Sequence, residues 1–151
     1  MTPAARVSKA VIYFPDHALS VFFYEKNMNK ILLLAIAGAC GTLARYWLST
    51  TAHWLLGPDF PWGTWLVNIL GCFMFGLIWV LAYERGLIPT HVRMIILVGF
   101  MGAFTTFATY IFENYALALD DQWFRLGLNI IGQNILGFFA LYLGYMSAKI
   151  V

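Results

Sequence analysis

Apolar residues run through this chain in four long blocks, at 31–56, 63–83, 94–112 and 126–148, separated by short polar stretches. Arg45 interrupts the first block, while the second and fourth carry no charge. Each block reaches the roughly 20 residues that a helix needs to cross about 30 Å of hydrocarbon. Short segments of strict apolar and polar alternation, the mark of a membrane barrel, are absent. In lipid a single segment satisfies its own backbone polar groups as a helix, so the pattern predicts four transmembrane helices.

The connections agree. "LGPDFPWG" (56–63), "ERGLIPTHVR" (84–93) and "ALDDQWFR" (118–125) combine Pro, Gly and charge as turns do. Trp54, Trp62, Trp65, Trp123 and Phe124 sit beside them, where amphipathic rings anchor at headgroup level. Turns this short set each helix antiparallel to its neighbour in the chain.

Composition places the chain in its solvent. It is 62% hydrophobic, 18% aromatic and 11% charged, against about half apolar and a quarter charged in soluble domains. The reading is an all-α, multi-pass protein of the plasma (inner) membrane, with one four-helix domain over 28–151. The stretch 1–27 departs from it: Pro15, Asp16 and His17 cut "VIYFPDHALSVFFYE" below spanning length, and no signal-peptide cleavage site follows. It reads as an interfacial or disordered extension. Met28 is an alternative start, because "MNKILLLAIAGA" opens like a first membrane helix.

Several chemistries are excluded. Cys40 and Cys72 lie apart within apolar blocks, as small packing residues do, and His17, His53 and His91 are scattered. No phosphate loop, zinc helix or serine elbow occurs. Nine basic residues spread along the chain make no nucleic-acid footprint. No enzyme chemistry is indicated.

What is left is the polar inventory inside the membrane, where such residues are costly. Arg45 costs about 2.5–3.5 kcal/mol at mid-depth unless it reaches the interface or finds a partner. It is either an anchor or a fixed positive charge that draws anions to a vestibule. Glu113 closes the third block and is expected at the interface. Asn68 shares a stripe of the second helix with Thr64, Gly71 and Phe75. On the fourth helix Asn129, Gln133 and Gly137 share a face, with Asn134 turned off it. Such amides serve as interhelical glue or as ligands, and spacing alone leaves both open. Small-residue pairs, Gly38 with Thr42 and Ala37 with Gly41, together with Gly132 and Gly137, favour close helix contact. Four helices enclose little lumen, so two chains are expected to associate.

"GFMGAFTTFATYIFE" (99–113) is unlike a plain buried helix. Gly99 and Gly102 weaken a helix by about 1 kcal/mol each, and Thr105 and Thr106 compete for backbone carbonyls. A break in the third helix is therefore expected here. The carbonyls it frees suit a monovalent cation, and irregular backbone at this depth must be buried in protein or line a polar cavity. Phe107 and Tyr110 share a face, and the electropositive edges of their rings can solvate a small anion. Packing alone would also account for these glycines, threonines and rings.

"GACGTLARYWLS" (38–49), "GTWLVNILGCFMFG" (63–76), "GFMGAFTTFATYIFE" (99–113) and "LNIIGQNILGFFALYLG" (128–144), in this order and spacing, resemble the CrcB/Fluc family of fluoride channels. The resemblance covers 29–150, and its second and third motifs are the specific ones. It implies a four-helix protomer with a broken third helix, paired as an antiparallel, dual-topology homodimer with two narrow pores. It also implies a structural sodium ion, not transported, at the dimer centre, held by the backbone carbonyls of Gly102 and Thr105. The same resemblance puts the pore amide at Asn68, the phenylalanine box at Phe107 and Tyr110, and a neighbouring hydroxyl at Thr109. Arg45 takes the vestibule role and Thr106 supports the break.

The chain departs from the family's "TTFSTF" by reading "TTFATY": Ala108 removes a hydroxyl and Tyr110 replaces a phenylalanine. Passive fluoride efflux would use the amide hydrogens of Asn68, the hydroxyl of Thr109 and the ring edges as replacements for water. Charge counts add a complication. With the N-terminus inside, Lys30, Arg85, Arg93 and Lys149 share one side against Arg125 and Arg45; the motifs outweigh this bias, which leaves room for a fixed-topology partner in a heterodimer with a paralogue. Two other readings are a small multidrug-type antiporter, which needs a membrane-embedded carboxylate, and a non-transporting assembly subunit.

Overall fold

The computed structural model describes residues 28–150; the extension expected over 1–27 lies outside the described residues. Among the described residues four helices are long and apolar enough to span a membrane, as the apolar pattern predicts: α1 (Met28–Leu56), α2 (Trp62–Glu84), α3 (Thr90–Leu119) and α4 (Trp123–Ile150). Gly57 and Gly86 follow α1 and α2 with φ of 85° and 65°, the left-handed conformation that closes a helix without a Cβ penalty. Asp121 takes a φ of 55° in the turn before α4.

The helices overrun the apolar blocks. α3 does not stop at Phe112 but continues to Leu119, because Asn114 and Leu117 bury on one face of "ENYALAL" and keep the last turns packed. Glu113 is therefore inside α3, not at its end, and reaches Thr64 in the first turn of α2.

Packing follows the small residues. α4 lies along α2, where a Cβ on Gly76 would strike the Leu141 carbonyl and one on Gly144 the Phe73 carbonyl. α1 packs on the first part of α3 and on α2. Gly41 of α1 abuts the backbone of Phe100, and a Cβ on Gly99 would lie 2.9 Å from that of Ala37. Helices in lipid associate through such backbone contact rather than through an oily core. A small apolar core that includes Val67, Val80 and Phe104 is buried, while many large apolar side chains, among them Ile36, Leu43, Ile135 and Phe138, are exposed.

π-helical turns occur at Val80–Glu84, Ile95–Met101 and Leu128–Gly132. The last carries Asn129, which is fully buried against α2 and α3. At one end of the bundle Arg85 donates to the Lys149 carbonyl at 2.9 Å, Lys149 pairs with Glu84 at 3.6 Å, and Arg93 lies over the Tyr83 ring.

Candidate functional site

Between Phe104 and Phe107 the helical dihedrals of α3 lapse. Thr105 sits at φ −80°, ψ 159° and Thr106 at φ −148°, ψ 113°. Gly99 and Gly102 are helical or next to helix, so the lapse falls at the threonines and not at the glycines. The hydroxyl of Thr105 bonds back to the Met101 carbonyl at 3.0 Å, as does its N–H, completing the preceding turn. Thr106 then caps the second part of α3 (Phe107–Leu119), its hydroxyl oxygen accepting from the Thr109 N–H and its hydroxyl donating to Thr109 Oγ1 at 2.9 Å.

Asn68 of α2 reaches across to this point. Its Oδ1 accepts from the Thr106 N–H at 2.9 Å and its Nδ2 donates to the Thr106 carbonyl at 3.1 Å. The side-chain amide thus pairs with both backbone groups of one extended residue. Gly71, one turn along α2, leaves room for the Thr105 methyl.

These bonds have a consequence for two carbonyls. In an unbroken helix Gly102 O would accept from Thr106 N–H, and Thr105 O from Thr109 N–H. Here Asn68 Oδ1 takes the first donor and Thr106 Oγ1 the second. Gly102 is exposed, and among the described residues no atom outside its own helical turns lies within 4 Å of where its Cβ would be.

An open groove of about 350 Å³ runs past this backbone, lined by Asn68, Phe75, Gly102, Thr105, Thr106 and Phe107 among others. Phe107 is 74% exposed and lies at the groove, whereas Tyr110 is 8% exposed. Their ring centroids are 5.9 Å apart at 45°. The Tyr110 hydroxyl accepts from Asn134 Nδ2 at 3.0 Å.

Behind Asn68 the amides of α4 form a chain. Asn68 Nδ2 also donates to Gln133 Oε1 at 2.6 Å, Gln133 Nε2 donates to Asn129 Oδ1 at 3.1 Å, and Asn129 Nδ2 donates to Asn114 Oδ1 at 2.8 Å. Trp65 Nε1 adds a bond to Asn129 Oδ1 at 2.7 Å.

A family model described as "CrcB-like protein, Camphor Resistance (CrcB)" matches residues 32–145. A Solidesulfovibrio magneticus protein named fluoride-specific ion channel FluC is 52% identical over 124 residues, 82% of this chain and 99% of its own. A Nitrosococcus oceani protein of the same name is 51% identical over 123 residues, 82% of this chain and 98% of its own. The chain belongs to the CrcB-like family. More distant members share the match, as in Geobacter sulfurreducens, where a protein of that name is 38% identical over 122 residues, 81% of this chain and 98% of its own.

Within this family fold, the residues singled out from sequence fall into three groups. Asn68, Gly102, Thr105, Thr106 and Phe107 line the groove together. Tyr110 and Thr109 belong to the same helical segment, the first packed inward and the second exposed and tied to Thr106. Arg45 stands apart, half-buried on α1, about 26 Å along the helix from Met28 at 1.5 Å per residue. Sequence spacing put Gln133 and Asn129 on one face but gave no sign that Gln133 would meet Asn68, because the two lie 65 residues apart. Trp65, read from sequence as an interface anchor, also serves this network.

Proposed function

We propose that this chain is a fluoride-selective channel, not an enzyme, mediating passive efflux that lowers cytoplasmic fluoride. The reading is supported by the groove where Asn68, Thr106 and Phe107 converge, in a chain 52% identical to a protein named fluoride-specific ion channel. Fluoride holds its water tightly, so a pore must offer several neutral donors and remain too narrow for larger anions. Phe107 and Thr109 are exposed, and the ring edge of the first and the hydroxyl of the second supply two of them, with Tyr110 behind. Asn68 supplies an amide hydrogen when the ion displaces one of its two acceptors, Thr106 O or Gln133 Oε1. Arg45, on α1, raises the local anion concentration at a vestibule. An inside-negative potential drives the ion outward with about 2.3 kcal/mol per 100 mV.

The functional unit in this reading is an antiparallel homodimer with the third helix broken at Thr105 and Thr106. The groove side of α3, where Gly102 is exposed and a Cβ on it would meet none of the described residues, is the face that meets the second copy. The carbonyls of Gly102 and Thr105, whose helical donors are diverted, suit a sodium ion shared between copies, since hard cations take oxygen ligands. When bound there, the ion supplies a fixed positive charge that ties the two broken helices together.

Purified protein in liposomes tests the reading. Fluoride efflux against a potassium gradient clamped with valinomycin is the expected result. Proton-coupled cation uptake would point instead to an antiporter using Glu113, and inert vesicles to an assembly subunit.

A further inference from the structure

The amide chain behind Asn68 can run in only one direction, and both of its ends fix that direction. Side-chain amides of Asn and Gln can present either oxygen or nitrogen to a neighbour, so an isolated pair leaves the choice open. A backbone N–H and an indole N–H leave no choice, because each is a donor only.

Start from the backbone end. The Thr106 N–H faces Asn68 Oδ1, so Asn68 must turn Nδ2 toward Gln133. Gln133 then shows Oε1 to Asn68 and Nε2 to Asn129, which must answer with Oδ1. Start now from the other end. Trp65 Nε1 demands an acceptor and finds the same Asn129 Oδ1, so the two ends agree.

The indole is held in place. Phe60 and Trp62 meet it edge to face at 5.4 Å and 5.9 Å, and a Cβ on Gly132 would lie 2.8 Å from its ring. Asn129 is 0% exposed and Gln133 6%, so water cannot substitute for a missing partner.

We propose that Gln133 is a positioning residue for the site: through a one-way amide relay anchored on the Trp65 indole, it holds Asn68 in the one orientation that matches the N–H and carbonyl of Thr106. The relay thereby holds Thr106 extended and keeps its N–H away from the Gly102 carbonyl. Gln133 touches neither ion in this scheme and acts through Asn68. Its effect on transport rests on the channel reading above, whereas its effect on Thr106 does not.

The test measures amide exchange by NMR on 15N-threonine-labelled full-length protein in micelles without fluoride. In Gln133→Met, exchange at Thr106 is expected to rise about tenfold while Thr42 and Thr50 of α1 keep their protection, since one hydrogen bond in a network is worth about 1.4 kcal/mol. Trp65→Phe is expected to raise it about threefold on its own and not at all in the Gln133→Met background, because the relay is already cut. Unchanged exchange at Thr106 in Gln133→Met overturns the proposal, as does a Trp65→Phe effect that multiplies with it. Exchange rising equally at Thr42 and Thr50 also overturns it, since that is general loosening. Fluoride flux in the same variants is recorded separately: a wild type that conducts nothing sinks the channel reading and leaves the exchange result to judge the relay.

Discussion

Asn68 is a short side chain that satisfies two backbone groups of another helix at once, and few residue types can do this. An amide carries donor and acceptor side by side, as a peptide does, so it matches the N–H and C=O of one extended residue. Asn68→Asp replaces the donor with a second acceptor facing Thr106 O and Gln133 Oε1. The expected outcome is about a hundredfold loss of fluoride flux, read in liposomes, on an unsatisfied-group cost of about 1–3 kcal/mol. Phe107→Ile tests the ring edge separately. Because Phe107 is 74% exposed, its loss should leave the thermal midpoint in detergent nearly unchanged while flux falls about tenfold, the size of a ring-edge contact of 0.5–1.5 kcal/mol. A midpoint that falls with the flux would mean the ring is packing and not ion contact.

Among the elements, α3 carries the most local conflict. Its composition is helical, yet Thr105 and Thr106 are extended because two side chains outbid the helix for its N–H groups: Asn68 for Thr106, and Thr106 itself for Thr109. The α2 and α4 pair is the opposite case, a close crossing that local sequence favours at Gly76, Gly144 and Gly137. Gly144→Ala puts a methyl against the Phe73 carbonyl and should destabilise the protomer by about 1–3 kcal/mol, measured by thermal unfolding in detergent. Gly102→Ala meets nothing among the described residues, and Ala recovers the helix propensity that Gly lacks, so protomer stability should hold or rise by up to about 1 kcal/mol. The number and rough limits of the helices were legible in hydropathy, since each block is longer than a bilayer requires. The end of α3 was not, because burial of Asn114 and Leu117 against other helices is invisible to a local apolar count.

At the scale of the molecule, one protomer leaves its groove open and Gly102 uncovered, so the proposed assembly is where the remaining contacts lie. If a sodium ion joins two copies at Gly102 and Thr105, replacing sodium by N-methylglucamine on both sides should lower flux about tenfold, as expected when a ligand that stabilises the active form is withdrawn. Flux indifferent to that exchange would remove the ion from the scheme.

By itself, the sequence determined the solvent, the four spans and the residue types available for an anion, because hydrophobic length and intramembrane polarity are local quantities. It also carried the family resemblance through motif order. Only the tertiary structure decided which amides meet. Asn68 is 38 residues from Thr106 and 65 from Gln133, and the hydrogen bonds that hold the extended threonines exist only once α2, α3 and α4 are side by side.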